Sequence, residues 1–394
     1  MQELLQSPML YLSSGSKELF HSNFLFWLGN AYRELFEELL SRLCHINRPW
    51  PENWTLRREY KHLDLCITYA KATGKTIKGK AVVKECAFIV LENKVKSLPD
   101  MMQLRRYEQV FAGQGYGCTY MVLSLVKDFP GCKYLEENTI WQVHHYDELG
   151  QLIEECYADD CISEQFRPYI RDYCQYVSKL SALAEGWKID EQEPFLVQHK
   201  DLQELRLNDL YEKVRYAQIA TMLADKLKPM LKQEKEVETV VLGMSNTDVI
   251  LRRRRRDADE ILTFWGCPEA KPYGQVFIGS GMSHAVGLVE AKVKVSEDCC
   301  LVVQVQGNRY CHCIECDDIA NKQENLSDIQ KNFLEFNQGG LKDNHCKPGK
   351  KICRYNTGFI YKLQKIQPTH TVENIVDAIV ADLIEIKSRN NHSN

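Results

Sequence analysis

The sequence predicts an α/β protein built from three successive regions, and three observations predict it. Through the first 150 residues a helix-periodic segment, a pair of strand-like runs, a second helix and two more strands alternate. Helical periodicity then continues to about residue 232. Short apolar strands dominate from about 236 to 315. The expected regions are therefore 1–150, an α/β domain; 151–235, a helical region; and 236–394, an α+β domain of unassigned role.

The 394 residues are 44% hydrophobic and 26% charged, a globular balance with ample material for a core. The formal net charge of −4 gives no global positive field, so any polyanion must be held by local patches. The 16 cysteines are scattered rather than framed in a short secreted scaffold, and several sit in strand-like runs, where a reduced thiol behaves as a small hydrophobe. The opening MQELLQSPML lacks the basic and apolar parts of a signal peptide. No run approaches the ~20 apolar residues of a membrane span. A cytoplasmic protein with no membrane partner is expected.

Residues 16–44 predict one long amphipathic helix, with Leu19, Phe20, Phe24, Trp27, Leu28 and Tyr32 at three- and four-residue steps. Ser16 is its expected N-cap, and Pro49 and Pro51 lie beyond its end. A strand from about Tyr60 to Tyr69 places Leu63, Leu65 and Ile67 on one face and Asp64, Cys66 and Thr68 on the other. The stretch KATGKTIKGK reads as a turn, after which a strand from about Ala81 to Val95 returns antiparallel. A helix running after Pro99 to about Phe111 and the strand CTYMVLSLV follow, which predicts a right-handed crossover and parallel pairing. TIWQVHHY is a further strand. Beyond it, ISEQFRPYIRDYCQYVSKLSALAEG and LNDLYEKVRYAQIATMLADKLKPML read as helices, and a last helix runs from Thr371 to about Ser388. LKQEKEVE reads as a linker.

One strand ends in chemistry. The buried-looking run FIVL closes on Glu92-Asn93-Lys94, and residues two apart on a strand share a face. With Asp64 on the paired strand, two carboxylates and an ammonium converge if the register allows, and such groups are costly to bury idly. Oxygen ligands suit Mg²⁺ or Mn²⁺. A neighbouring lysine can position or deprotonate a water, or steady charge developing on phosphorus. Gln103 and Tyr107, one turn apart on the next helix, share a face that such packing aims at the same spot. This is the equipment for metal-assisted hydrolysis of a phosphodiester.

The order Asp64 on a strand, Glu92-Asn93-Lys94 on the next, then QLRRY on the following helix resembles the PD-(D/E)XK nuclease superfamily, and the QxxxY element looks like its RecB-type branch. The segment KELFHSNFLFWL is similar to the first helix of standalone bacterial members. The resemblance covers about residues 15–145. It implies a restriction-endonuclease-like αβββαβ core and a Mg²⁺- or Mn²⁺-dependent nuclease acting on nucleic acid, DNA before RNA, with a role in antiviral defence against foreign DNA. It implies Asp64 and Glu92 as metal ligands, the Asn93 carbonyl as a third and Glu18 as a helix acid near the metal. Lys94 becomes the catalytic lysine, and Gln103 and Tyr107 supporting residues, with Tyr107 a candidate contact to the nucleic-acid backbone. Leu63 stands where the family has its proline.

Plainer readings stand beside these. Glu92 and Lys94 as a surface ion pair contribute little, but that leaves their place after FIVL unexplained. His21 competes as a ligand or is a core histidine; His62 and Glu59 read first as structural and strand-edge groups. The cluster Lys71, Lys75, Lys78, Lys80, Lys84 reads either as a phosphate-backbone contact, led by Lys75, Lys78 and Lys80, or as a solvated turn. The Arg252–Arg256 run binds nucleic acid or pairs with Asp257, Asp259 and Glu260. Cys311, His312, Cys313 and Cys316, with His345, Cys346 and Cys353, offer a weak zinc spacing against a default of reduced structural thiols. A non-cleaving nuclease-fold module, or an effector gated by a C-terminal sensor, is the alternative to an active nuclease. A second copy of the chain is a candidate partner.

Overall fold

The computed structural model describes residues 4, 7–13, 18–77, 80–95, 97–99, 101–111, 117–127, 132, 135–136, 139–157, 161–197, 199–231, 240–244, 276–283, 286–296, 299–337, 339–343 and 345–391. The Arg252–Arg256 run, Ser16 and Lys78 lie outside them, and the side chains of Lys75 and Lys80 are likewise undescribed. The chain is mixed α/β and divides into two compact units, 1–187 with 200–210, and 188–199 with 211–394. The helices expected as a separate middle region are shared between these units.

The first unit opens with helices α1 (Pro8–Ser13), α2 (Glu18–Ala31) and α3 (Arg33–Leu43). The single helix expected over 16–44 is broken at Tyr32, whose φ of −137° and ψ of 67° are not helical. The break has a packing cause. Gly29 meets the Leu56 and Phe36 side chains so closely that a Cβ there would clash, and beyond the bend α3 buries Phe36, Leu39, Leu40 and Leu43.

Five strands follow: β1 (Trp54–Tyr60), β2 (Leu63–Ile77), β3 (Lys80–Lys94), β4 (Thr119–Ser124) and β5 (Trp141–His145), in the spatial order β1-β2-β3-β4-β5. Pairing is antiparallel for β1–β2 and β2–β3, and parallel for β3–β4 and β4–β5. Helix α4 (Met101–Phe111) connects the parallel pair β3 and β4, as expected. Strand β1 goes beyond the expected elements. Only Trp54 and Leu56 of WTLRREY are buried, so its charged edge hides the strand period. On β2, Cys66 and Thr68 are buried as well as Leu65 and Ile67, because this inner strand is covered on both faces. The expected turn KATGKTIKGK is a correction: its backbone continues the β2–β3 ladder through the Ala72–Val83 and Ile77–Lys80 pairs. Exposed Lys71, Gly74 and Lys84 give that ribbon the look of a loop.

Helices α5 (Tyr146–Cys156) and α6 (Arg167–Glu185) pack on each other and complete the unit with the short α7 (Lys200–Glu204).

The second unit is built on a seven-stranded sheet: β6 (Val240–Met244), β7 (Val276–Ser283), β8 (Val286–Ser296), β9 (Cys299–Gln306), β10 (Arg309–Cys316), β11 (Cys353–Asn356) and β12 (Phe359–Lys365). Their order is β11-β12-β10-β9-β8-β7-β6. One face of this sheet packs against α8 (Asn208–Leu231) and α10 (Val372–Asn391), with the short α9 (Asp328–Leu334), through Tyr216, Leu223, Val289, Val303, Ile375 and Leu383. Among the described residues no helix is long and apolar enough to cross a membrane.

Candidate active site

The site forms where the β2–β3 ladder stops. The last pair on that side is Leu65 with Leu91. One step beyond, Asp64 Oδ2 accepts a hydrogen bond from the Asn93 backbone N–H at 2.7 Å. The carboxylate thereby takes a donor that would otherwise be orphaned at the strand end.

Glu92 and Lys94 project together, as the strand period requires. The Lys94 ammonium lies 2.8 Å from Glu92 Oε1, and both side chains are about 5% exposed. Gln103 ties the pair down. Its Oε1 accepts from Lys94 Nζ at 2.8 Å, while its Nε2 contacts Glu92 Oε1 at 2.9 Å and the Tyr107 hydroxyl at 2.8 Å. That hydroxyl donates to the His62 carbonyl at 2.7 Å, so a chain of bonds runs from the β1–β2 turn to the ion pair. The expectation that Tyr107 is available to nucleic acid meets a different setting: the residue is 6% exposed and its hydroxyl is engaged within the cluster.

Glu92 Oε2 is buried and has no hydrogen-bond partner. Burial pushes the Glu92 carboxyl up to about 7, with Lys94 opposing and Asp64 and Glu18 reinforcing the rise. Burial likewise pushes Asp64 up to about 6, against the bond from Asn93 and with Glu18 adding like-charge pressure. Burial pulls the Lys94 ammonium down, but Glu92 and the other two acids outweigh it, and the net direction is up. Lys94 is therefore held protonated.

Asn93 is fully buried, with Nδ2 donating to Ser22 Oγ at 2.7 Å and Oδ1 accepting from the Tyr146 hydroxyl at 3.0 Å. Glu18 Oε1 accepts from Ser97 Oγ at 2.7 Å and acts electrostatically on Asp64, Glu92 and Lys94. Asp64, Glu92, Lys94, Gln103, Glu18, Asn93 and Tyr107 are thus gathered at one place. Ser22, Ser97 and Tyr146 join them without having stood out in the sequence. Ser22 was findable, since it lies one turn after Glu18 on the same helix face; Tyr146 carries no local signal.

His21 is placed elsewhere in the packing. It is 1% exposed, its Nδ1 lies 3.0 Å from the Tyr173 hydroxyl, and its ring meets Tyr146 edge-on. His62 and Glu59 are exposed residues with positive φ at the β1–β2 turn.

The cysteine-rich zinc candidates do not assemble. Cys311 and Cys313 pack with Cys300 and Val302 on one sheet face. His312 faces the other way, stacked between Phe333 and Phe336. Its Nδ1 lies 2.7 Å from the Phe333 carbonyl and its Nε2 2.6 Å from Asp382 Oδ2. The Phe333 carbonyl can only accept, so Nδ1 is the atom that donates to it. Among the described residues the set of three ligand groups within mutual reach is Asp343, Cys346 and His370, all within 4.8 Å. His370 Nδ1, however, accepts from the Gln367 backbone N–H at 2.9 Å. The neutral ring then carries its proton on Nε2, the atom turned toward Asp343, and has no lone pair there for an ion.

Comparison with protein families, curated proteins and solved structures finds no match to the chain. The site therefore rests on its own geometry.

Proposed function

We propose that the first unit is a divalent-metal-dependent phosphodiesterase of the PD-(D/E)XK kind, cutting nucleic acid. The observation that carries this reading is the buried, partnerless Glu92 Oε2 beside a second raised carboxylate, Asp64. Two such acids next to each other disfavour ionisation, and a hard divalent cation removes that cost. Asp64 and Glu92 would hold Mg²⁺ or Mn²⁺, with the Asn93 carbonyl and Glu18 as further oxygen donors. When bound, the ion supplies Lewis-acid polarisation of a phosphoryl oxygen and lowers the pKa of a bound water. The order of elements around the site also supports the reading: helix α2, the antiparallel run β1–β2–β3, helix α4, then β4 parallel to β3.

The residues divide the remaining work. Lys94, kept as an ammonium by its acidic neighbours, is a poor base and a good donor to a phosphoryl oxygen gaining charge. Gln103 fixes the position of Lys94, and Tyr107 fixes Gln103. DNA is the favoured polymer on the resemblance alone.

The test is cleavage of plasmid and linear DNA with Mg²⁺ or Mn²⁺ by wild type, Asp64→Ala and Lys94→Ala. Wild type should cut, and each variant should lose about 100-fold or more, the order seen when a transition-state charge stabiliser is removed. Equal behaviour of the three proteins would refute the enzyme reading.

A further inference from the structure

Glu92 and Lys94 share one face of β3 and leave the side chain between them on the other. The ion pair therefore places no demand on what stands at position 93. Yet Asn93 is fully buried, and a buried amide is costly unless its hydrogen bonds are met. Asn93 pairs with Leu123 on β4, and Leu123 with His144 on β5, so Tyr146, the first residue of α5, stands two residues past that row. Its hydroxyl donates to Asn93 Oδ1 at 3.0 Å. On the other side of the amide, Nδ2 donates to Ser22 Oγ at 2.7 Å. Tyr146 and Ser22 are themselves fully buried.

The bonds run in one direction. An amide oxygen only accepts, so Tyr146 gives its proton to Asn93. Ser22 Oγ then receives a proton from the amide and has its own to give. Two acceptors lie in reach of it, the Glu18 carbonyl at 3.3 Å and the Asp64 carboxylate. The charged acceptor makes the stronger bond. Burial is the largest influence on the Asp64 carboxyl and raises it, while the bonds from the Asn93 N–H and the Ser22 hydroxyl favour its charged form. Main chain and side chain of Asn93 thus act on one carboxylate, the first directly at 2.7 Å and the second through Ser22.

We infer that Tyr146, Asn93 and Ser22 are positioning residues that fix the Asp64 carboxylate for a divalent cation. The inference rests on the metal-dependent reading of the site and adds the side chains that hold its ligand. A carboxylate offers about four lone-pair positions. Two donors hold the Asp64 group against rotation and leave other positions for an ion. Partners of this kind behind a metal ligand change affinity by roughly 10–100-fold. The pattern of Asp64 with Glu92 and Lys94 calls for none of these three side chains, and Tyr146 lies just beyond the stretch that carries the nuclease resemblance.

Mn²⁺ binding at fixed pH tests this without turnover. The electron paramagnetic resonance signal of free Mn²⁺ is titrated with the full chain as wild type, Asp64→Ala, Ser22→Ala, Tyr146→Phe, and Ser22→Ala with Tyr146→Phe. Thermal melts establish that each protein is folded. Wild type should bind, and Asp64→Ala should not. Ser22→Ala should weaken binding at least about tenfold. Tyr146→Phe should weaken it about threefold, because it acts one bond further away. The double variant should bind no more weakly than Ser22→Ala alone, since the tyrosine has no route to Asp64 once Ser22 Oγ is gone. Losses that multiply would mean independent effects and overturn the inference. Unchanged affinity in Ser22→Ala and Tyr146→Phe also overturns it, even where melting temperatures fall, because the three groups then serve packing alone. Should Ser22→Ala fail to fold, Tyr146→Phe decides by itself. Asp64-dependent Mn²⁺ binding that ignores these variants refutes only the positioning role. Wild type that takes up no more Mn²⁺ than Asp64→Ala refutes the metal reading, and the positioning role with it.

Discussion

Lys94 and Gln103 are joined at 2.8 Å by a bond from the ammonium to the amide oxygen, and the other end of the same amide meets Glu92, the ammonium's ion-pair partner. One neutral side chain therefore fixes both charges. A carboxylate at position 103 would bring a further negative charge to Glu92 and have no N–H to give it.

Gln103→Leu should leave the buried ammonium and carboxylate each short of a partner, lowering stability by about 1–3 kcal/mol. Cleavage should fall roughly tenfold or more, since Lys94 loses its placement. Gln103→Glu should be worse in both respects. Calorimetry and a cleavage time course on the two variants check this, and normal turnover by the Gln103→Leu protein would show that the amide is idle.

Tyr107→Phe separates a positioning role from a nucleic-acid contact. The hydroxyl joins Gln103 to the His62 carbonyl. Its loss should cost about 1 kcal/mol and slow cleavage severalfold while DNA affinity in chelator stays unchanged. A weakened Kd with normal stability would instead place the ring on the polymer.

The two raised carboxyls make a signed pH prediction. Asp64 moves from 3.8 to about 6 and Glu92 from 4.5 to about 7 on folding. A carboxyl raised by folding stabilises the native state only while protonated, so stability from this source is complete below about pH 4 and is lost as pH rises through 6 to 7. In chelator, Asp64→Asn should therefore be more stable than wild type at pH 7.5, by about 1–2 kcal/mol, and the gap should close by pH 4. Mg²⁺ or Mn²⁺ should raise the wild-type Tm more at pH 7.5 than at pH 5, and Asp64→Asn should blunt that gain. Thermal melts across pH, with and without metal, read both effects.

The second unit has its own buried polar anchor. Asp382 Oδ2 accepts from the Tyr310 hydroxyl and pairs with His312 Nε2, each at 2.6 Å, and its Oδ1 accepts from the Gly340 N–H at 2.8 Å. Asp382→Ala takes away the buried acceptor shared by Tyr310, His312 and Gly340, and should cost about 3 kcal/mol or more in chemical denaturation. Asp382→Asn, which keeps a single acceptor oxygen, should fall between. A loss below about 1 kcal/mol, the scale of a single ordinary hydrogen bond, would mean that this cluster does not anchor the sheet.

Much of the first unit is legible because strand and helix periods survive in its interior. FIVL is buried as read, and the Glu92–Lys94 spacing brings the two charges together, since a period of two admits no other arrangement on one strand. The illegible places are those where exposure erases the period. β1 keeps two buried residues in seven, and the ribbon around Gly74 has the composition of a turn. The bend at Tyr32 is invisible for a different reason: it answers contacts of Gly29 with Leu56 and Phe36, which are tertiary. The bond from Asp64 to the Asn93 N–H likewise depends on which pair ends the ladder, and register is fixed by the whole hairpin rather than by any local motif. His370 gives no sign in the sequence because it reaches the neighbouring Asp343 and Cys346 across a long interval.

The turn that supplies the His62 carbonyl joins the Tyr60–Leu63 pair through Lys61 and His62, whose φ angles are 55° and 71°. Two left-handed residues in a two-residue hairpin loop mark the mirror-type turn in which Asn-Gly is the preferred pair. A lysine and a histidine there hold a backbone shape that their Cβ atoms resist. Lys61→Asn together with His62→Gly should raise heat tolerance by about 1 kcal/mol or more while leaving the main-chain oxygen that Tyr107 needs. The hairpin is thus a ready entry point for making a hardier version of this protein without altering its chemistry.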